Sequence, residues 1–309
     1  MILQRTLKNS TSISGIGLHS GDRITLKMRP ATANTGIVFH RTDGDRIIDI
    51  KACADNVVDT RMATVIGRDG AKVSTIEHFM AALAACGIDN LHVDIDGPEI
   101  PVLDGSAAPF IREIQQAGVE NLHASRRFVA IRKPLEIIEG EKRISIIPSR
   151  FFRITFDIAF EHSAISVQQY SMKFTTENFC KEIAPARTFG FLHEVEYLKA
   201  NGLARGGSLE NAVVIDSNGV MNPEGLRFQD EFVRHKILDS FGDFSLLGAP
   251  LLGHIRAFKA GHDLNAKMVR KILDNPSHWT YVEFSEQALQ EAQRVSTRAF
   301  AADLAWSEA

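Results

Sequence analysis

Hydrophobic and polar positions divide the first third of the chain into short alternating runs. Residues 22–28, 36–40 and 47–52 alternate or cluster β-branched and apolar side chains, which predicts three strands. The period then changes. Ser74-Thr75-Ile76-Glu77 leads into residues 78–86, rich in Ala, Met and Leu and closed by Gly87. That pattern predicts a helix with an N-cap and a C′ glycine. Residues 90–96 return to alternation, with Leu91, Val93 and Ile95 sharing a face, and Gly97-Pro98 ends them. A second helix over 107–117 stops at Gly118.

The same order recurs further on. Residues 128–138, 143–148 and 153–160 read as strands, 229–247 as a strong helix, 254–259 as a strand and 263–273 as a helix. The fold class expected is α+β, in two similar domains. Each is a mostly antiparallel sheet packed with two helices. The domains are placed at 1–123 and 124–309, with the join near 119–127. Residues 188–216 break the parallel: a short helix (193–200), the Gly206-Gly207 turn and a strand (212–216) form a βαβ-like insert in the second half only. An addition that one copy folds without is more often functional than structural.

Composition narrows the classes. The chain has 309 residues, 44% hydrophobic and 24% charged, enough for two ordinary domains. A net charge of −3 gives no basic field for nucleic acid, and Arg126-Arg127 and Lys142-Arg143 read as solvated surface charge. Cys53, Cys86 and Cys180 are scattered and odd in number, which argues against disulfides and fits a reduced cytoplasmic setting. Residues 1–10 show no signal-peptide core, and no run of about 18 apolar residues predicts a membrane span. Membrane contact is expected to be peripheral at most, and the chain to be a monomer.

Three segments offer chemistry. His235 and Asp239, four apart, stack on one helix face and Asp243 extends the row, while Val233, Ile237, Phe241 and Phe244 fall opposite. The row is either a metal half-site or a solvated ion pair, and need not be buried. Glu77-His78 is either a general base beside a metal ligand or the end of a capping box that starts at Ser74. His262 follows Gly261 in a short loop, where an exposed general acid or a mere helix-entry residue would stand. Thr188 could donate to an oxyanion or simply cap a turn. The glycines of residues 15–21 look like a dinucleotide fingerprint, but a strand follows them. The phosphate-binding helix N-terminus is therefore absent and that reading fails.

Several motifs together resemble one family, the UDP-3-O-acyl-N-acetylglucosamine deacetylases of lipid A biosynthesis. They are GIGLHSG (15–21), STIEHFMAALAACGIDN (74–90), LDGS (103–106), ARTFGF (186–191), GGS (206–208), LRFQDEFVRHKILDSFGD (226–243) and GHDLN (261–265). The resemblance implies an active site between the two domains, with a Zn2+ ion on His78, His235 and Asp239 and a fourth position left for water. It implies Glu77 as base and His262 as the acid for the leaving amine, with Asp243 orienting it. Thr188 and Lys236 are implied as oxyanion and substrate contacts, and Met62, Phe160, Phe189 and Phe191 as contacts to the sugar–nucleotide. Leu192, Val195, Ala204 and Gly207 would line an acyl passage in the insert. The implied partner is a small-molecule acylated UDP-amino sugar. Pro185, Ser163 and Asp263 depart from the family pattern without touching a ligand, and no fused dehydratase is expected. Two rivals stand beside this reading. A zinc amidohydrolase acting on another acylated amino sugar would be separated by acetate release. A non-enzymatic acyl-nucleotide binding module would be separated by metal content and a Glu77 variant.

Overall fold

The structure, a computed structural model, describes residues 1–284; the end of the expected second domain, residues 285–309, lies outside the described residues. The first half contains β1 (Leu3–Leu7), β2 (Thr11–Ile16), β3 (Arg23–Pro30), β4 (Ile37–Asp43) and β5 (Arg46–Lys51). Three short strands follow, β6 (Val57–Asp59), β7 (Val65–Arg68) and β8 (Ala71–Val73), then α1 (Glu77–Cys86), β9 (Leu91–Ile95), α2 (Ala108–Ala117) and β10 (Val119–Ser125). The second half begins with β11 (Arg127–Ile131), β12 (Leu135–Glu139), β13 (Lys142–Ile147), β14 (Phe152–Ala159), β15 (Val167–Lys173) and the single turn α3 (Thr176–Asn178). It continues through β16 (Phe189–Phe191), α4 (Leu192–Ala200), β17 (Val213–Asp216) and β18 (Gly219–Val220) to α5 (Glu231–Phe244), β19 (Leu251–Phe258), α6 (His262–Leu273) and β20 (Trp279–Glu283).

The two halves repeat one topology. The first sheet runs β2-β3-β9-β4-β5, with β9 antiparallel to β3 and parallel to β4. In the second, β12-β13-β19 continues into β14-β15, with β19 antiparallel to β13 and parallel to β14. A parallel neighbour requires a crossover connection. Helix α1 lies on the crossover to β9 and α5 on the crossover to β19, so the two helices are equivalent. The expected α+β pair of mostly antiparallel units is what folds. The insert is a βαβ unit as expected, with β16 and β17 parallel across α4 and β18 added antiparallel.

Some boundaries differ from the sequence reading. Residues 128–138 form two strands, because Pro134 has no N–H to give to a ladder. The region of the expected join is a strand: β10 pairs antiparallel with β1. The long helix stops as an α-helix at Phe244 and tightens into one 3₁₀ turn, Ser245–Leu247, closed by left-handed Gly248. No helix among the described residues is long and apolar enough to cross a membrane.

Helices α1 and α5 are buried on almost every side, which is why neither shows a simple two-faced pattern. They pack on each other across the two halves. They approach closely at Gly242, where an added Cβ would stand 2.0 Å from the carbonyl oxygen of Glu77. The partner there is backbone and cannot swing away. Gly242→Ala is therefore expected to push α1 from α5 and to lower unfolding free energy by about 1–3 kcal/mol. A urea-unfolding midpoint equal to wild type would show that this contact does not bear on stability.

Candidate active site

The N-terminal end of α1 is set by a short, strained approach. Thr75 has a left-handed backbone (φ 56), rare for a β-branched residue, and its hydroxyl donates to buried Glu99 at 2.9 Å. The N-cap position, Ile76, offers no side-chain cap, and Ser74 bonds to Thr75. The capping box is therefore not formed. The Glu77 carboxylate turns instead toward Thr64, whose N–H donates to Oε2 at 3.0 Å. Burial pushes the Glu77 carboxyl up to about 8, against the lowering effect of His262.

His78, His235 and Asp239 meet behind it, all buried, with one donor atom of each within 4.8 Å of the others. Asp239 Oδ1 lies 3.4 Å from His78 Nε2 and 3.2 Å from His235 Nε2, yet this buried oxygen has no hydrogen-bond partner. Three donor atoms gathered without bonding to one another fit a shared metal ion. His235 is oriented through Nδ1, which donates to the Ala186 carbonyl at 3.1 Å. Asp239 Oδ2 accepts from Lys236 Nζ at 2.9 Å. Burial alone would raise Asp239, but His235 and Lys236 hold it well below the usual carboxylate range. Burial keeps His78 low, toward the neutral form that binds metal. The His-Asp-Asp row of α5, which the sequence left free of the core, is buried because α1 packs over it.

His262 is not exposed as its loop position suggested; its side chain is 11% accessible. Its Nδ1 donates to Asp243 Oδ2 at 3.0 Å, and Nε2 lies 4.0 Å from Glu77 Oε1 and 3.9 Å from Asp239 Oδ2. Burial works to lower His262, but the charges of Asp243, Glu77 and Asp239 prevail and hold it up to about 9. Asp243 also accepts from Asn265 at 2.9 Å and from the Thr64 hydroxyl at 2.5 Å. Neither Thr64 nor Asn265 was legible as a site residue. Asp263 points outward and pairs with Lys267 at 2.8 Å, so its departure from the family pattern leaves His262 alone.

The insert leads away from this centre. Phe189 lies against His235 and Phe160, Phe191 lies on Phe160 and His162, and Lys236 stands over Phe189. Phe160, Phe189 and Phe191 thus form one aromatic cluster, while Met62 is half exposed. Thr188 is tied through its backbone to Gly105 and Val213, two residues beyond the carbonyl that orients His235. Arg187, wholly buried, binds Glu231 at the start of α5 through its backbone N–H and its guanidinium and reaches Glu224. This pair was missed because neither residue lies in an apolar pattern. Val195 approaches Gly190, Ala204 is buried, and Gly207 faces Leu18 of the first half. Leu18 is thus the first-half side chain beside Gly207, a neighbour the sequence did not suggest.

A family model described as UDP-3-O-acyl N-acetylglycosamine deacetylase matches residues 4–274. The chain is 65% identical over 288 residues to UDP-3-O-acyl-N-acetylglucosamine deacetylase of Syntrophotalea carbinolica, covering 93% of each chain. It is 56% identical over 309 residues to the protein of that name from Geobacter sp. strain M21, covering 100% of each. The protein of that name from Myxococcus xanthus is 54% identical over 287 residues, covering 93% of this chain and 91% of that one.

The geometry yields a pH prediction. Because the folded pKa of His262 is raised, its imidazolium persists through neutral pH and is lost as pH rises through about 9. Asp243→Asn removes the nearest opposing charge and leaves burial, so the His262 midpoint should fall. An NMR titration of the histidine rings measures it; a midpoint that stays put would separate Asp243 from the control of His262.

Proposed function

Because the chain belongs to the UDP-3-O-acyl N-acetylglycosamine deacetylase family, we propose that His78, His235 and Asp239 hold one zinc ion and that Glu77 and His262 move the protons of amide hydrolysis. The activity is deacetylation of UDP-3-O-acyl-N-acetylglucosamine, a step of lipid A biosynthesis, and the enzyme is a hydrolase. The observation that carries the metal assignment is the buried, unbonded Asp239 Oδ1 at 3.2 and 3.4 Å from two imidazole nitrogens. Ligand atoms about 2.0–2.1 Å from a tetrahedral zinc stand roughly 3.3 Å apart, which matches.

Zinc bound there supplies Lewis-acid polarisation of the acetyl carbonyl and a more acidic water, and its charge favours ionised Glu77. Glu77 takes a proton from the attacking water through Oε1, since the Thr64 N–H occupies Oε2. The Thr188 hydroxyl donates to the carbonyl oxygen as it gains charge. His262, with Nδ1 fixed by Asp243, gives the proton on Nε2 to the glucosamine nitrogen as the C–N bond breaks. The products are acetate and the free amine. Lys236 holds the second oxygen of Asp239, leaving Oδ1 for the metal, and stands where the substrate passes. Phe160, Phe189, Phe191 and Met62 receive the sugar–nucleotide; Leu192, Val195, Ala204 and Gly207 receive the acyl chain. A nucleotide-activated substrate and three free cysteines fit a cytoplasmic monomer with at most peripheral membrane contact.

Purified protein should carry one zinc per chain, lose acetate release to a chelator and regain it with added zinc. Full activity in rigorously metal-free protein would sink the metal assignment. Glu77→Ala should keep the zinc and lose about 10²-fold or more in kcat.

The passage is tested at Gly207, whose backbone is outside the left-handed region and whose added Cβ would meet Ala204 O at 3.3 Å, Leu18 Cδ1 at 3.6 Å and Ala204 Cβ at 3.9 Å. Gly207→Phe therefore needs no left-handed backbone, though the Ala204 carbonyl must give by a few tenths of an ångström, and it fills the passage. It should lower kcat/KM strongly for a long-acyl substrate and little for one without the chain, each buried CH₂ being worth about 0.8 kcal/mol. Equal loss on both, in protein folded by circular dichroism, would make the insert a lid or a structural element.

A further inference from the structure

We propose that Thr64 is the positioning residue that holds the base and the acid of this site in register, by a backbone bond to Glu77 and a hydroxyl bond to Asp243. The proposal rests on the roles given above to Glu77 and His262.

Thr64 precedes β7 and belongs to neither helix of the site, yet it is tied to both. Its N–H donates to Glu77 Oε2 at 3.0 Å, and its carbonyl accepts from the N–H of Ile76, the residue before Glu77. Its hydroxyl donates to Asp243 Oδ1 at 2.5 Å, across 179 positions of sequence. The side chain is almost fully buried, and a β-branched residue keeps few rotamers. Thr64 is therefore a stiff bracket between the start of α1 and the last turn of α5.

The hydroxyl has a task no neighbour duplicates. Asp243 Oδ2 takes both His262 Nδ1 and Asn265, whereas among the described residues Oδ1 has Thr64 as its single donor. Thr64 and Asp243 also form part of the wall of a cavity of about 280 Å³ lined by Asp59, Asp263, Lys267 and Arg270. Without the hydroxyl, a buried carboxylate oxygen loses its partner and can turn into that cavity, whose wall includes the cations Lys267 and Arg270. Such a turn drags Oδ2, and with it the imidazole of His262. The quantity at risk is the 4.0 Å separation of His262 Nε2 from Glu77 Oε1. That gap is too long for the two groups to satisfy each other, so both stay available to water and amine. Proton transfer is steep in such distances, about 10²-fold for a misplacement near 1 Å.

The test uses Thr64→Val, which keeps the shape and the N–H but removes the hydroxyl, and Thr64→Ser, which restores it. In zinc-loaded protein Thr64→Val should lower kcat about tenfold to a hundredfold, with KM within about twofold and zinc content unchanged. Thr64→Ser should recover most of the loss. In an Asp243→Asn background the same Thr64→Val change should cost little, because the bond is already altered. A readout independent of turnover is the His262 Nε2 proton in the NMR spectrum, with and without zinc, because Nδ1 lies 3.4 Å from the hydroxyl itself; it should move in Thr64→Val and return in Thr64→Ser. Wild-type kcat in Thr64→Val, equal loss in both backgrounds, or an unmoved resonance would each overturn the proposal. Should Thr64→Val not fold, Thr64→Ala is read by the same cycle and the same resonance. If the wild type releases no acetate, the functional reading fails, and the resonance alone decides the tether.

Discussion

Backbone meets backbone where α5 crosses the start of α1, and the site exists because of that approach. With no side chain at Gly242, the Glu77 carbonyl comes within reach of the α5 axis. The row His235, Asp239, Asp243 on α5 then faces Glu77 and His78 on α1 at distances that polar side chains can use. Glycine inside a helix costs about 1 kcal/mol against alanine. Here that cost accompanies a contact that no other residue permits. Because α1 and α5 occupy equivalent places in the repeated topology, the site lies on the seam between two copies of one arrangement.

Excluding water from that seam makes its charges expensive. Burial disfavours the charged forms of Glu77, Asp239, His78, Lys236 and His262 alike. Groups with close partners resist it: Lys236 and His235 keep Asp239 ionised, and Asp243 keeps His262 protonated. Glu77 has only the His262 imidazolium, 4.0 Å away, to set against its burial, and rises. Such an arrangement is a weak source of stability. What it provides is a cluster of shifted pKa values, with Glu77 up to about 8 beside His262 up to about 9 while Asp239 stays ionised next to them.

The glycine-rich motifs have a common mechanical purpose. Glu99 accepts the N–H groups of His19 and Ser20, and an added Cβ on Gly17 would collide with its carboxylate. The same loop receives the insert, since Leu18 and His19 carbonyls accept from Gly206 and Arg205. A Cβ on Gly206 would strike the Gly17 carbonyl oxygen, and one on Gly105 the Asn211 carbonyl oxygen. Motifs of the first half therefore cradle the insert of the second. The loop that looked like a phosphate cradle is glycine-rich for close protein packing.

Period and punctuation alone determined most of the elements. Strand alternation, the helix ending at Gly87, the βαβ insert and the twofold order of elements are local consequences of side-chain periodicity, and they were legible. So was the i, i+4 pairing of His235 with Asp239, since helix geometry sets it. Local pattern could not say whether that row was solvated, whether Glu77 capped its helix or left it, or whether His262 was exposed. Those depend on which surfaces come together, and only the tertiary structure decided them. Residues such as Thr64, Glu99 and the Arg187–Glu231 pair carry no local signature at all. Their polar groups have meaning only beside partners 13 to 179 positions away, which chain folding brings within about 3 Å of them.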